Sequence, residues 1–258
     1  MNKMLFLGLT AALLAAGVAA QAYPIFTGLT GNVVLPTAAT APSGDTTIAA
    51  DYIDLRNIDS RESKNSSIAL RAIGAVDANW EFGGGYNFVK IAGQNANTYF
   101  LDTKVKMLGD DCSACSLYAT YGSTHRYGDI PHNISTMQGG IAADEQVSLL
   151  GCTITSTLGA NWTRQDFTTL KPNAVRYFAG MDIELIEHFH MVGDYQTKAT
   201  KLEQHALYGV ALRYVKSNSF DIQVGYSNVS PVGFVNGAKE GRFFAGIGFS
   251  FNEDSSDW

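Results

Sequence analysis

The sequence predicts an all-β fold, an antiparallel transmembrane β-barrel of about 12 strands that follows a cleaved signal peptide. Three observations support this prediction: an export signal, segments in which apolar and polar residues alternate, and links that are alternately short and long. Successive side chains of a strand point to opposite faces, so alternation gives each strand one apolar and one polar face. Repeated around a closed sheet, the pattern gives a barrel with lipid outside and water inside.

The N-terminus predicts a secretory signal peptide over residues 1–22. Lys3 is followed by an apolar run over residues 4–20, and small residues flank Gln21, so we expect cleavage after Ala22. The alternative is an anchor that is retained in the membrane. No later segment approaches the ~18–20 apolar residues of a membrane helix. Because open sheet edges are not tolerated in lipid, insertion into a membrane then requires a closed barrel.

The last predicted strand, residues 241–251, shows the alternation most clearly. One face carries Phe243, Ala245, Ile247, Phe249 and Phe251, and the other carries Arg242, Gly246, Gly248 and Ser250. Phe244 is the one exception. Barrels of this class resemble one another in ending on a terminal aromatic residue that the assembly machinery recognises. This chain departs from that pattern, so either Phe251 is the effective end or Trp258 takes its place. The alternation stops at Asn252, so we assign the assembly signal to Phe249 and Phe251.

Eleven further strands are predicted, which makes the total even, as in bacterial single-chain barrels. They are residues 45–55, 65–75, 78–90, 98–108, 115–126, 133–142, 146–162, 173–186, 189–198, 204–216 and 220–229. The sixth has a weak pattern, but without it the links no longer alternate between short and long. Residues 45–251 then form the barrel, and residues 252–258 form an acidic C-terminal tail.

Residues 23–44 form a separate N-terminal segment. Its prolines and glycines disfavour a regular strand, yet its apolar side chains need burial, so we expect it at or inside the periplasmic mouth as a plug. Its Gly28-Leu29 and Pro36-Thr37-Ala38 elements resemble the start of exopolysaccharide-associated outer-membrane barrels of the YjbH type. The resemblance implies an outer-membrane barrel, with polysaccharide as one candidate ligand.

Charged residues predicted to face the lumen are balanced in sign. They are Arg71, Lys104, Lys106, Arg176, Arg213 and Arg242 against Glu81, Asp102, Asp182, Glu184, Asp194 and Asp221. Two interpretations stay open: the charges pair across a narrow barrel, or they line a water-filled pore. Selectivity requires a ring of one sign, which this pattern lacks.

Candidate reactive residues form no strong motif. Ser123, His125 and Asp129, with His132, have the composition of a triad, and His188 and His190 are a weak metal signal. Cys112-Ser-Ala-Cys115 is open to interpretation as a redox pair, a disulfide that leaves Cys152 over, or a structural turn. We expect no catalytic residues, no metal and no cofactor.

The predicted function is an outer-membrane β-barrel of a Gram-negative bacterium that acts as a channel or as a structural or export-associated component. A net charge of −6 without a basic stripe argues against nucleic acid as a partner. Expected partners are outer-membrane lipid and the barrel assembly machinery, with polysaccharide or a small solute as candidate ligands. The alternatives are a membrane-embedded lipid- or glycan-modifying enzyme and a secreted soluble β-protein.

Overall fold

A computed structural model describes most of the chain. The described residues are 25–26, 29, 31–55, 66–91, 94–109, 113–125, 133–149, 151–166, 171–198, 205–216, 220–229 and 237–252. The predicted signal peptide therefore lies outside the described residues, as do residues 253–258 of the predicted tail. Among the described residues, no helix has the length and apolar character to cross a membrane.

The described residues form a closed antiparallel barrel of twelve strands. Each strand pairs with the strands before and after it in the sequence, and β1 pairs with β12 to close the barrel. The strands are β1 Asp45–Asp54, β2 Ser66–Asp77, β3 Trp80–Ile91, β4 Gln94–Gly109, β5 Ser113–His125, β6 Ile134–Leu149, β7 Cys152–Asp166, β8 Asn173–Ile186, β9 Phe189–Gln196, β10 Leu207–Lys216, β11 Phe220–Val229 and β12 Gly237–Asn252. The predicted fold class and strand number are confirmed.

The outward face is an apolar surface supplied by alternate residues of each strand. Leu101 of β4 is 64 % exposed and Phe243 of β12 is 71 % exposed. Their strand neighbours Phe100 and Phe244 are buried inside. A register slip of one residue would exchange the two faces, so this pattern confirms the predicted register.

The predicted boundary between the sixth and seventh strands is wrong. Residues 143–145, predicted as a turn, lie within β6, and Asp144 pairs with Ala114 of β5 and Thr157 of β7. The chain turns instead at Gly151, whose φ is +85°. Two adjacent acidic residues, Asp144 and Glu145, are typical of a turn in the sequence. In the folded chain both lie within β6, where Asp144 faces the lumen and Glu145 faces outward.

The bounds of β4 and β12 also differ from the prediction. The link predicted over residues 91–97 is too long, because β4 begins at Gln94 and Ile91 pairs with it. Strand β12 begins at Gly237 and ends at Asn252, which pairs with Asp45 of β1. In both places, backbone pairing extends the strand beyond its predicted end.

Candidate functional site in the barrel lumen

The N-terminal segment, meaning the described residues before β1, lies among inward-facing side chains of the barrel. Its apolar side chains form one buried cluster with inward apolar residues of the strands. The segment members of that cluster are Ile25, Phe26, Leu29, Val33, Val34, Leu35 and Ala38. The segment joins β1 at the end of the barrel where the short turns lie, and we call this the short-turn end.

The segment reverses direction over residues 31–36. Gly31 and Pro36 form an isolated antiparallel bridge, and the amide of Asn32 donates to the carbonyl of Leu35 at 3.1 Å. Within this bend, the amides of Val33, Val34 and Leu35 have no backbone carbonyl as acceptor. Buried amides require an acceptor, so the wall of the barrel has to supply one.

Asp194 of β9 supplies that acceptor. Its Oδ2 accepts hydrogen bonds from three consecutive amides, those of Val33 at 3.0 Å, Val34 at 2.7 Å and Leu35 at 2.9 Å. Consecutive amides that converge on one point form a concave anion site. Hydrogen bonds to a charged acceptor are stronger than neutral ones, so Asp194 fixes the bend to β9.

Two more carboxylates hold the part of the segment nearer the short-turn end. Asp144 Oδ2 of β6 accepts from the amides of Ala38 at 2.8 Å and Ala39 at 3.0 Å. Glu81 Oε2 of β3 accepts from the amide of Ala41 at 2.9 Å. Strands β3, β6 and β9 lie three strands apart in the barrel order, so the segment is held from separate sides of the lumen.

Donors on other strands satisfy the segment's carbonyl groups. Lys104 Nζ of β4 donates to the carbonyl of Thr37 at 3.3 Å. Ser116 Oγ of β5 donates to the carbonyl of Ala38. Arg213 of β10 donates to the carbonyl of Asn32. The wall therefore meets the segment's amides with carboxylates and its carbonyls with donors.

The aromatic ring of Phe26 sits against β12 and β2. It packs edge-on against Phe244, with ring centroids 5.2 Å apart. The guanidinium carbon of Arg71 lies 5.2 Å from the centroid of the same ring, a cation–π contact. Phe244, the exception to the alternation of the last strand, is thus an inward aromatic residue that packs against the segment.

Two glycines of the wall allow the segment to approach closely. A Cβ on Gly180 of β8 would lie 2.1 Å from Asn32 Nδ2, and a Cβ on Gly209 of β10 would lie 2.7 Å from Val33 Cγ1. Both distances are far below van der Waals contact. A side chain at position 209 would displace the segment, because Val33 is β-branched and its Cβ also lies within 2.9 Å, whereas at position 180 the flexible side chain of Asn32 can turn aside.

The structure brings together several of the predicted lumen charges. Those that are buried are Arg71, Glu81, Asp102, Lys104, Arg176, Asp194, Arg213 and Asp221, and those that are half-buried are Lys106, Asp182, Glu184 and Arg242. Lys104 Nζ lies 3.0 Å from Glu81 Oε1, and both side chains are fully buried. Glu81 and Lys104 lie opposite each other on the neighbouring strands β3 and β4, so this pair joins adjacent strands, and the roles of the lumen charges stay predictions.

Sequence reasoning missed several residues that hold this arrangement. Asp51 of β1 pairs with Arg71 and accepts from Gln223 Nε2 at 3.0 Å. Asp144 was assigned to a turn, and Ser116 was not singled out. The inward alternation of β1 at Asp45, Thr47 and Asp51 is the sequence signal that identifies Asp51. The partners of Asp144 and Ser116 are set by the path of the N-terminal segment, which has no local sequence signal.

The other candidate reactive residues are dispersed. Ser123 is buried and His125 is exposed at the end of β5, while Asp129 and His132 lie outside the described residues. His190 Nδ1 lies 2.9 Å from Asp182 Oδ1 near the short-turn end, and His188 occupies the adjacent turn. Within the described part of the chain, no group of three or more His, Cys, Asp or Glu residues has the geometry of a metal site.

Cys115 and Cys152 are free thiols, and Cys112 lies outside the described residues. Phe249 and Phe251 are outward and exposed, at 45 % and 58 %, near the end of β12. Phe249 also pairs with Ile48 of β1, across the seam that closes the barrel. Their role as an assembly signal stays a prediction.

No protein-family model matches the chain, and no curated protein sequence matches it. Solved structures do resemble it. A KdgM porin is 9% identical with a TM-score of 0.55, and the alignment covers 81% of this chain and 99% of the porin. A KdgM porin in complex with disordered oligogalacturonate gives a TM-score of 0.56 at 9% identity, with the same shares covered.

A NanC porin structure is 11% identical with a TM-score of 0.50, over 80% of this chain and 99% of the porin. At such identities the likeness establishes the fold alone. The chain is an all-β closed barrel of the kind found in outer-membrane porins, and it carries no assignable substrate. The fold thus resembles that of channels, whereas the lumen of this chain contains its own N-terminal segment.

Proposed function

We propose that this protein is an outer-membrane barrel whose N-terminal segment is a plug that keeps the lumen closed in the resting state. In this role it is a structural or export-associated component, and it conducts only when the segment leaves. The short-turn end faces the periplasm, because outer-membrane barrels place their short turns there. The role involves no catalysis.

One observation carries the proposal: three buried carboxylates on β3, β6 and β9 accept hydrogen bonds from amides of one continuous segment. Each such bond contributes about 1.5–3 kcal/mol. An open water-filled pore has no need of acceptors arranged to follow a peptide backbone. The buried apolar cluster that surrounds the bend also favours a filled lumen over a hydrated one.

The resemblance to YjbH-type barrels is part of this proposal. Of the residues that carry it, Thr37 and Ala38 contact Lys104, Asp144 and Ser116 of the wall. We infer that the Pro-Thr-Ala element is an anchor of the plug. Polysaccharide stays a candidate for what passes or binds once the plug is displaced, and a Gram-negative outer membrane is the proposed location.

Conductance in planar bilayers tests the proposal. We expect the refolded full chain to show little conductance and a variant that lacks residues 23–43 to show stable open channels. A matched control is the full chain with Val175→Ala, which changes only the outward face. Equal conductance of the full chain and the deletion variant, with both migrating as folded barrels on unheated gels, would overturn the proposal.

A further inference from the structure

The wall of the lumen contacts the segment mainly through the segment's main chain. The donors are the amides of Val33, Val34, Leu35, Ala38, Ala39 and Ala41, and the acceptors are the carbonyls of Asn32, Thr37 and Ala38. Every peptide offers these groups, whatever its side chains. Recognition through the main chain gives affinity, whereas sequence specificity needs pockets for side chains.

The wall limits the size of side chains more than their identity. Around the bend, Gly180 and Gly209 leave room for Asn32 and Val33, and a larger wall residue would collide with them. Nearer the short-turn end, the residues held by Asp144 and Glu81 are alanines. The site therefore suits a peptide of small, apolar residues.

From this arrangement we propose that the lumen is a binding site for a polypeptide of small apolar residues, supplied in trans, that makes the same bend as the segment. The inference rests on the proposed function, because the site becomes available only when the plug leaves. Departure of the plug would leave Asp194, Asp144 and Glu81 without the amides that they accept from. In the open channel water would hydrate these carboxylates, and a second peptide that brings the same amides would replace that water with hydrogen bonds in the geometry of the plug, while its apolar side chains would be buried in the same cluster.

The chain's own segment is a strong competitor for this site. A tethered ligand acts at an effective concentration in the millimolar range when its linker is short. A peptide added in trans is therefore expected to bind poorly to the unaltered protein. Displacement of the segment, by a variant or by a partner, is required before the site accepts another chain.

The test uses a full-length variant that carries both Val34→Pro and Ala38→Pro. Proline lacks an amide hydrogen, so the variant loses donors to Asp194 and Asp144 while the wall is unchanged. A fluorescent peptide with the sequence of residues 31–42 is added, and its anisotropy is followed. We expect saturable binding to the variant and no saturable binding to the unaltered protein at the same concentrations.

Two control peptides distinguish main-chain from side-chain recognition. A peptide N-methylated at the positions of Val34 and Ala38 keeps its side chains but loses two donors, and we expect affinity to fall about tenfold or more per hydrogen bond. A peptide with alanine at position 34 alone keeps all the donors and loses two methyl groups, so we expect its affinity to fall only about fifteenfold, against about a hundredfold or more for the two N-methyl groups.

The conductance of the double-proline variant without peptide separates this inference from the proposed function. If the variant conducts but the peptide does not bind it, the proposed plug is supported and the proposed binding of a second peptide is overturned. Equal binding of the N-methylated and unmodified peptides also overturns it, as does equal binding of the peptide to the unaltered protein. If the double-proline variant and the variant that lacks residues 23–43 both stay closed and folded, both proposals are overturned, and mobility on unheated gels verifies folding. If the double variant does not fold, or stays closed while the variant that lacks residues 23–43 is open, that deletion variant serves as the displaced form in the same assay, with the same expected and contrary results.

Discussion

The outward and inward faces of the barrel come from the same strands but follow different rules. The outward face is a single apolar surface, and in the proposed membrane location each of its residues would contact lipid independently of the others. The inward face is polar and mostly buried, and each residue depends on partners far away in sequence, as when Asp194 holds Val34. A substitution outside therefore tests depth in the membrane, whereas a substitution inside tests a particular contact.

Loss of a buried ion pair is the largest effect that we expect on the inward face. Lys104→Met removes the ammonium group from Glu81, and breaking a buried pair costs about 3–5 kcal/mol. Urea unfolding of the barrel in lipid vesicles measures the change. Lys106→Met, at a half-buried position on the same strand, is the control. Equal destabilisation by the two substitutions would show that burial of the pair is not the cause.

A charge on the outward face is the corresponding test of lipid contact. Leu101→Arg places a guanidinium in the apolar belt, and we expect it to lower the free energy of unfolding by about 2–4 kcal/mol at mid-membrane. Val175→Arg, two residues from the loop end of β8, should cost about 0–1 kcal/mol. The same unfolding assay measures both. Similar losses of unfolding free energy at positions 101 and 175 would contradict a mid-membrane position for Leu101.

The two faces also differ in how much the sequence reveals. The alternation predicts the outward residues of nearly every strand, because an exposed apolar face places the same requirement on each outward position. The inward face has no such rule. Phe244 breaks the alternation of the last strand, and Asp144 falls in a predicted turn. Their partners, Phe26 and Ala38, belong to a segment that is distant in sequence. Only the fold brings these pairs together.

Substitution of the carboxylate that holds the bend sharpens the comparison further. Asp194→Asn keeps the shape of the side chain but removes its charge, so we expect a loss of about 1.5–3 kcal/mol. It should also make residues 33–35 more susceptible to proteolysis from the short-turn end. Asp182→Asn, at a half-buried position on the same face, is the control. Unchanged proteolysis of the Asp194 variant would contradict the proposed anchoring.

A single methyl group on the wall should have the smallest effect of the four. Gly209→Ala brings a Cβ to 2.7 Å from Val33 Cγ1. Overpacking of this kind costs about 1–3 kcal/mol, and here it should displace the segment and raise conductance. Gly193→Ala is the matched control, because Gly193 is outward and the nearest atom to its Cβ is 3.5 Å away. Equal conductance of the two variants would contradict the close approach.

Thiol accessibility tests most directly whether the segment occupies the lumen. In a background with Cys112, Cys115 and Cys152 replaced by serine, Val34→Cys and Glu187→Cys are labelled with a charged maleimide. Val34 is 3% exposed and the Glu187 side chain is 87% exposed. We predict slow labelling at position 34 and fast labelling at position 187, with equal rates after unfolding. Equal rates in the folded barrel would show that the segment lies outside the lumen.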